Sequence, residues 1–257
     1  MEFLPRAFAA LDAAGAVIRP YFRNAPAAEQ KMDKSPVTIA DRRAEEVLRE
    51  ILGREFPGFG IIGEELPPQE AGRTYVWVID PIDGTRAFIT GRPNFCTLLG
   101  LLEDGVPILG FIDQPVTGER WWGGRDMPGG FRGPYGGQFG TSATAEIGAA
   151  ELSATSPSMF NGARAEPFAR LQRAALRIYW GGDAYAFGLL ALGSIDIVAE
   201  CDLKPWDWAA LAPVITAAGG VVTDWQGAPL TLATADGSVL AAANPALHAQ
   251  ALAALRG

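Results

Sequence analysis

The spacing of apolar and polar positions divides the chain into helical and extended segments. Residues 3–22 place Phe3, Leu4, Ala7, Phe8, Leu11, Val17, Ile18, Tyr21 and Phe22 at three- and four-residue steps, which predicts an amphipathic helix. A second helix is predicted over 41–52, with Ala44, Val47, Leu48, Ile51 and Leu52 on one face. Thr38 followed three residues later by Asp41 has the form of a capping box at its start. Ile61-Ile62 is a short apolar run, and 75–79 suits a buried strand. Segments 97–102, 106–112 and 119–122 read as successive strands, with Asp104-Gly105 as a hairpin turn. Residues 123–140 hold eight glycines with Pro128 and Pro134, and are expected to form a loop joining two halves.

The second half alternates strand and helix. Strands are predicted at 152–155, 177–180, 195–200, 221–224 and 239–242, and helices at 166–174, 184–192, 206–218 and 245–255. Gly219-Gly220 stops the helix at 206–218, and Pro213 is expected to kink it. The class is α+β, organised as an N-terminal half over 1–135 and a C-terminal half over 136–257.

Composition narrows the chemistry. Of 257 residues 49 % are apolar and 19 % charged, so a substantial core forms and global disorder is excluded. The net charge of −8 is shared by both halves, and only three of the 21 basic residues are lysines, which argues against a nucleic-acid partner. No apolar run reaches the roughly 20 residues of a membrane helix, and Met1-Glu2-Phe3, with no basic segment ahead of an apolar stretch, is not expected to open a secretory signal. Cys96 and Cys201 lie far apart, form no metal or redox spacing and are expected to be buried fillers; the expected compartment is the cytoplasm. His248 is the single histidine, expected on the surface of the last helix, so neither a Ser-His-Asp triad nor a multi-histidine zinc site is available. Carboxylates, hydroxyls and a hard metal must do any chemistry.

Asp80-Pro81-Ile82-Asp83-Gly84-Thr85 is the sharpest signal. Two carboxylates three residues apart, on a turn leaving a buried strand, can face one cation, while the Gly-Thr that follows offers N–H groups to an anion. An Asp-Gly pair alone is an ordinary turn. Six specified residues at about 5 % usage each, however, arise by chance at roughly one in ten million positions. Gly63-Glu64-Glu65 would alone be surface charge, and Trp206-Asp207-Trp208 would alone be an acid complementing a helix N-terminus. Asp41 would alone be a helix-start residue. Together these acids describe an oxygen-ligand site for Mg²⁺. Two metals there would bridge an acidic protein to a phosphate monoester and lower the pKa of a water.

On these residues the chain resembles the inositol monophosphatase family: Gly63-Glu64-Glu65, the hexapeptide from Asp80 to Thr85, Trp206-Asp207 and the Thr38-to-Asp41 segment occur in family order and at family-like spacing. The resemblance implies a layered α-β-α-β-α sandwich shared with fructose-1,6-bisphosphatase, two or three Mg²⁺ per subunit, sensitivity to lithium and a homodimer. It implies that Glu64, Asp80 and the Ile82 carbonyl hold one metal, and that Asp80, Asp83 and Asp207 hold a second. It further implies that Gly84 and Thr85 bind phosphate through N–H groups, that the Thr85 hydroxyl paired with Asp41 orients or deprotonates the attacking water, and that Glu65 stands just behind. No covalent phosphoenzyme is implied.

Flanking segments resemble the histidinol-phosphatase branch: Arg86-Ala87-Phe88-Ile89-Thr90-Gly91, Gly110-Phe111-Ile112-Asp113-Gln114-Pro115, Gly182-Asp183-Ala184-Tyr185 and Asp202-Leu203-Lys204-Pro205. Trp206, Trp208 and the glycine-rich 123–140 depart from that branch. The branch implies hydrolysis of L-histidinol phosphate in histidine biosynthesis. Asp183, Glu200 and Asp202 are then candidates to meet the ammonium and imidazole of the substrate, each otherwise an ordinary acid at a strand end. Inositol 1-phosphate, nucleotide bisphosphate and fructose bisphosphate phosphatases share the core motifs. A phosphoaspartyl enzyme of the haloacid dehalogenase type needs one residue between its two aspartates, and here two separate Asp80 from Asp83. A catalytically inactive, phosphate-binding relative would be expected to lack a ligand or the threonine, and none is missing.

Overall fold

The central strands are buried on both faces, and successive residues enter opposite cores, which generates the layers. The computed structural model describes residues 3–24, 29–30 and 36–257. The chain begins with α1 (Phe3–Ile18), a 3-10 turn over Arg19–Tyr21 and a minimal antiparallel pair, β1 (Glu29–Gln30) with β2 (Pro36–Val37). After α2 (Ile39–Glu55) comes a six-stranded sheet in sequence order: β3 (Gly60–Gly63), β4 (Tyr75–Asp83), β5 (Cys96–Glu103), β6 (Val106–Gln114), β7 (Glu119–Gly124) and β8 (Met127–Arg132). The helix α3 (Thr85–Ile89) sits between β4 and β5. β3 runs parallel to β4, and the other pairs are antiparallel. Trp77, Ile79, Leu99, Leu101, Leu109 and Phe111 pack with α1 and α2, while Val76, Val78, Leu98, Leu102 and Ile112 join a second core on the opposite face.

The remaining elements are β9 (Glu151–Ala154), α4 (Ala165–Ala174), β10 (Arg177–Trp180), α5 (Asp183–Leu190), β11 (Ile197–Glu200), α6 (Pro205–Trp208), α7 (Leu211–Ala217), β12 (Val221–Thr223), β13 (Val239–Ala242) and α8 (Pro245–Arg256). Their sheet has the order β10-β9-β11-β13-β12. Val198, Val239 and Ala241 meet α5 and α7 in the core already reached from the first sheet. Ile197, Ala199, Leu240 and Ala242 pack on the other side against α4 and α8. The result is the α-β-α-β-α sandwich: α1 and α2, a sheet, α5 to α7, a second sheet, then α4 and α8.

Several expectations change. The first helix ends at Ile18, and Pro20 lies in the 3-10 turn that follows. The helix expected at 206–218 is two pieces interrupted at Ala209-Ala210. Pro213 has no N–H to give the Ala209 carbonyl and its ring crowds that oxygen, so the break falls one turn upstream of the proline. Residues 127–132, expected in a loop, form the edge strand β8; a Cβ on Gly130 would lie 2.3 Å from the Trp122 ring, so the glycine admits the indole. His248 is buried, not on the surface, and its Nε2 shares a hydrogen bond of 2.9 Å with Thr223 Oγ1. Asp104 and Gly105 both have positive φ, as a two-residue hairpin turn requires. Cys96 and Cys201 are buried and free. Among the described residues, no helix is long and apolar enough to cross a membrane.

Candidate active site

β4 enters the interior as a buried apolar strand and delivers Asp80 only 2 % exposed. In a regular strand, residues three apart point to opposite faces. Here the register against β5 shifts between Asp80 and Asp83. Pro81 has no N–H for the ladder, its carbonyl accepts from Thr97 Oγ1 at 2.8 Å, and the Ile82 N–H turns to Asp80 Oδ1 at 3.0 Å. The bulge restores the phase and brings the two carboxylates together. Gly84 then takes φ of 81° at the N-cap of α3.

Asp207 reaches the same place from the second half. Carboxylate oxygens of Asp80, Asp83 and Asp207 lie within 4.8 Å of one another. Asp41 and Asp207 share a local device: each stands at the third position of a helix and accepts the N-cap N–H, Thr38 to Asp41 Oδ2 at 2.9 Å and Lys204 to Asp207 Oδ2 at 2.7 Å. The capping box predicted for Thr38 and Asp41 is formed. The other Asp41 oxygen, Oδ1, is buried without a hydrogen-bond partner among the described residues. Glu64 follows β3, its N–H donating to the Ile79 carbonyl at 3.2 Å, so it is tied to the strand that carries Asp80.

Removal from water, and then repulsion from Glu64, Asp83, Asp207 and Asp41, holds the Asp80 carboxyl well above the usual carboxylate range. Asp83 is raised well above it for the same first reason, reinforced by Asp183 and Asp207 and opposed by the Ala184 N–H, which donates to Asp83 Oδ2 at 2.6 Å. Asp41 is raised by burial, and its bonds from Thr38 work against this. Crowded, dehydrated carboxylates with an orphaned oxygen beside them suit a hard divalent cation, and no histidine or cysteine joins the set.

A cavity of about 120 Å³ opens beside the acids, lined by Asp83, Thr155, Asp183, Leu203, Glu200 and Asp207 among others. Glu200 Oε1 accepts from Thr155 N–H at 2.8 Å and Oγ1 at 2.9 Å, while Glu200 Oε2 is buried without a partner. Burial pushes the Glu200 carboxyl up to about 8, against the opposing Thr155 bonds. Asp183, in the left-handed region at φ of 43°, is pushed up by burial to about 6, with Arg86 and Arg92 opposing. A larger cavity of about 600 Å³, beside Arg164 and Trp225, contains none of the expected site residues.

Two expectations are not met in this arrangement. Asp202 is not among the residues lining this cavity: φ of 63° turns the chain just after β11, and its largely exposed side chain pairs with Arg164. The Thr85 hydroxyl donates to the Ile82 carbonyl at 3.1 Å instead of pairing with Asp41. That carbonyl, expected to hold a metal, retains a second lone pair.

Other contacts of the site were not read from sequence. Thr155 fixes Glu200 and also accepts the Asp183 N–H at 3.1 Å. Asn94 Nδ2 donates to the Gly181 carbonyl at 2.6 Å and to Asp183 Oδ2 at 3.1 Å. Glu45 and Arg49 form a buried pair beneath Glu65, whose N–H donates to Glu45 Oε2 at 2.8 Å. Their signal was available: Asp41, Glu45 and Arg49 recur every four residues beside the apolar face of α2.

Comparisons with known proteins agree with this geometry. The family model described as the inositol monophosphatase family matches residues 2–257. The chloroplastic bifunctional phosphatase IMPL2 of Arabidopsis thaliana is 43 % identical over 252 residues, covering 95 % of this chain and 72 % of that protein. A histidinol-phosphatase of Mycobacterium tuberculosis is 38 % identical, covering 87 % of this chain and 86 % of its own. Among solved structures, an inositol monophosphatase from Zymomonas mobilis superposes with a TM-score of 0.88 at 42 % identity, covering 100 % of this chain and 98 % of that one. The acids gathered at the end of β4, the layered fold and these similarities have one conclusion: the chain belongs to the inositol monophosphatase family.

Proposed function

We propose that the protein is a Mg²⁺-dependent phosphomonoesterase that hydrolyses L-histidinol phosphate to L-histidinol and phosphate. The observation that carries the substrate is the acidic wall beside the carboxylate cluster, where Asp183 and Glu200 line the same cavity as Asp83 and Asp207. At neutral pH Asp183, at about 6, offers counter-charge to a leaving alcohol that bears an ammonium and an imidazole, while Glu200 offers a hydrogen bond. Similarity to a histidinol-phosphatase supports the same choice.

In this proposal Glu64, Asp80 and the Ile82 carbonyl hold one Mg²⁺, and Asp80, Asp83 and Asp207 hold a second. Bound there, the ions supply charge to the phosphoryl oxygens and acidity to a water. The protein's own work is orientation. Gly84 and Thr85 present N–H groups to the phosphate. Thr85 Oγ1, anchored on the Ile82 carbonyl, directs its lone pairs to the attacking water. As that water attacks phosphorus and the ester P–O bond breaks, Asp41 Oδ1, buried and without a hydrogen-bond partner among the described residues, takes up the water's proton. The departing alkoxide takes a proton from solvent and leaves as the alcohol. Glu65 holds its place behind Glu64 through its backbone bond to Glu45.

A second substrate, inositol 1-phosphate, is favoured by one feature: Glu200 Oε2 has no partner and can accept from a sugar-like hydroxyl. Phosphate release with excess Mg²⁺ tests both, on L-histidinol phosphate, inositol 1-phosphate, 3′-phosphoadenosine 5′-phosphate and fructose 1,6-bisphosphate. A kcat/KM for histidinol phosphate about tenfold or more above the rest is expected, a margin of about 1.4 kcal/mol. A larger value for another compound would overturn the substrate and leave the chemistry standing.

A further inference from the structure

The Glu64 loop is gripped from below by two charged side chains of α2 that touch none of the clustered carboxylates. Glu45 is fully buried and Arg49 nearly so. Glu45 Oε2 accepts the Glu65 N–H at 2.8 Å, and Oε1 accepts the Leu66 N–H at 3.2 Å and Arg49 Nε at 2.7 Å. The Arg49 guanidinium continues to the carbonyls of Leu66 at 2.9 Å and Pro67 at 3.1 Å. Four hydrogen bonds from one helix thus hold a short loop whose first acid is Glu64, and the Glu45–Arg49 pair ties the two gripping side chains together. The fit is close enough to explain the glycine before it, since a Cβ on Gly63 would lie 2.1 Å from Glu45 Oε1.

Asp41, Glu45 and Arg49 lie on successive turns of α2, all buried. The helix that fixes the Asp41 carboxylate is therefore the helix that fixes the Glu64 loop. A carboxylate is required at position 45: three donors converge on it, and an amide would turn its own N–H groups against at least one of them.

We propose that Glu45 and Arg49 are positioning residues for the metal site, setting the height of Glu64 above Asp80 and so the affinity for the cation these two acids share. The inference rests on Glu64 being a metal ligand, as proposed above. Partners that orient ligands from behind are commonly worth 10- to 100-fold in metal affinity.

Calorimetric titration of metal-free protein with Mn²⁺ tests it on wild type, Glu45→Gln and Arg49→Lys. Glu45→Gln is expected to weaken the tightest site by about tenfold or more. Arg49→Lys, which keeps the charge but loses the fork onto two carbonyls, is expected to weaken it by about threefold. In phosphatase assays the Mg²⁺ concentration for half-maximal activity should rise in the same order, and lost activity should return as Mg²⁺ is raised. A purely structural role would lower the melting temperature and leave the Mn²⁺ affinity of the folded protein unchanged. Affinities within about twofold of wild type in folded variants, well short of the usual effect, would overturn the proposal. Should Glu45→Gln fail to fold, Arg49→Lys decides alone. Wild type that takes up no Mn²⁺ would instead overturn the metal reading of Glu64 itself.

Discussion

At the end of β4, Asp80 and Asp83 crowd Glu64 and Asp207, and burial and mutual repulsion both favour the neutral forms of Asp80 and Asp83. Across the cavity, Asp183 and Glu200 are also dehydrated, but each is answered locally. Thr155 gives Glu200 two hydrogen bonds, and Arg86 and Arg92 offset the burial of Asp183. Around Asp80 and Asp83 the neighbouring acids add repulsion, which a bound cation would relieve. The second group is only partly offset by its own neighbours, which leave Glu200 at about 8 and Asp183 at about 6. These dehydrated carboxylates therefore divide into the proposed metal shelf and the proposed substrate wall.

Removing the shelf should have the largest effect. Asp80→Asn deletes the charge common to both proposed metal positions, and kcat/KM should fall by about 10³-fold or more, several kcal/mol of transition-state stabilisation. Steady-state kinetics with saturating Mg²⁺ measures it, and near-normal activity would remove Asp80 from the shelf. Next comes Thr85→Ala, expected to lower kcat by about 10²-fold while Mn²⁺ affinity stays near wild type. Parallel losses in both would make Thr85 part of the shelf rather than the orienter of water.

The wall should respond differently. Glu200→Gln is expected to raise KM for the preferred substrate more than it lowers kcat, by about tenfold in KM. It also carries a pH signature. With the folded carboxyl at about 8 and the unfolded one near 4.5, the native state holds the extra proton between these values. That stability is present below pH 4.5 and is lost as pH rises through 8. Thermal melts of metal-free protein at pH 5 and pH 8.5 should show a drop that Glu200→Gln reduces. The smallest effect lies away from both groups. Burial lowers the His248 pKa, with Arg256 adding to the shift, so the unfolded chain binds the proton more readily, and stability should fall as pH drops through about 6.5. His248→Gln should flatten that slope without altering turnover.

Much of the shelf was legible because its residues sit in short motifs with unusual local requirements. The capping box of α2 and the strand-to-turn exit at Asp80 could be read from neighbours within six residues. What escaped needed partners distant in the chain. Glu45 and Arg49 drew no reading from sequence because the loop that covers them lies about 20 residues on. His248 looked exposed because Thr223 and the packing of α8 are invisible to a helical pattern. β8 was hidden by glycines that composition equates with loops, although here they make room for rings. Glu200 and Asp202, two residues apart, share a face by strand periodicity, yet the positive φ at Asp202 ends that periodicity and sends its side chain to Arg164.

The middle helices have a thermodynamic consequence. Residues of α5 and α7 share one apolar cluster with strands from both sheets, including Val78 and Leu98 on one side and Val198 and Ala241 on the other. α5 also donates the Ala184 N–H to Asp83. Neither sheet can lose its inner face without stripping the other, so the chain should melt in a single transition. Ligand free energy gained at the carboxylates is then shared across the whole molecule. A melting curve recorded against Mg²⁺ or phosphate becomes a binding isotherm for the site, readable from any probe along the chain, even one on α8.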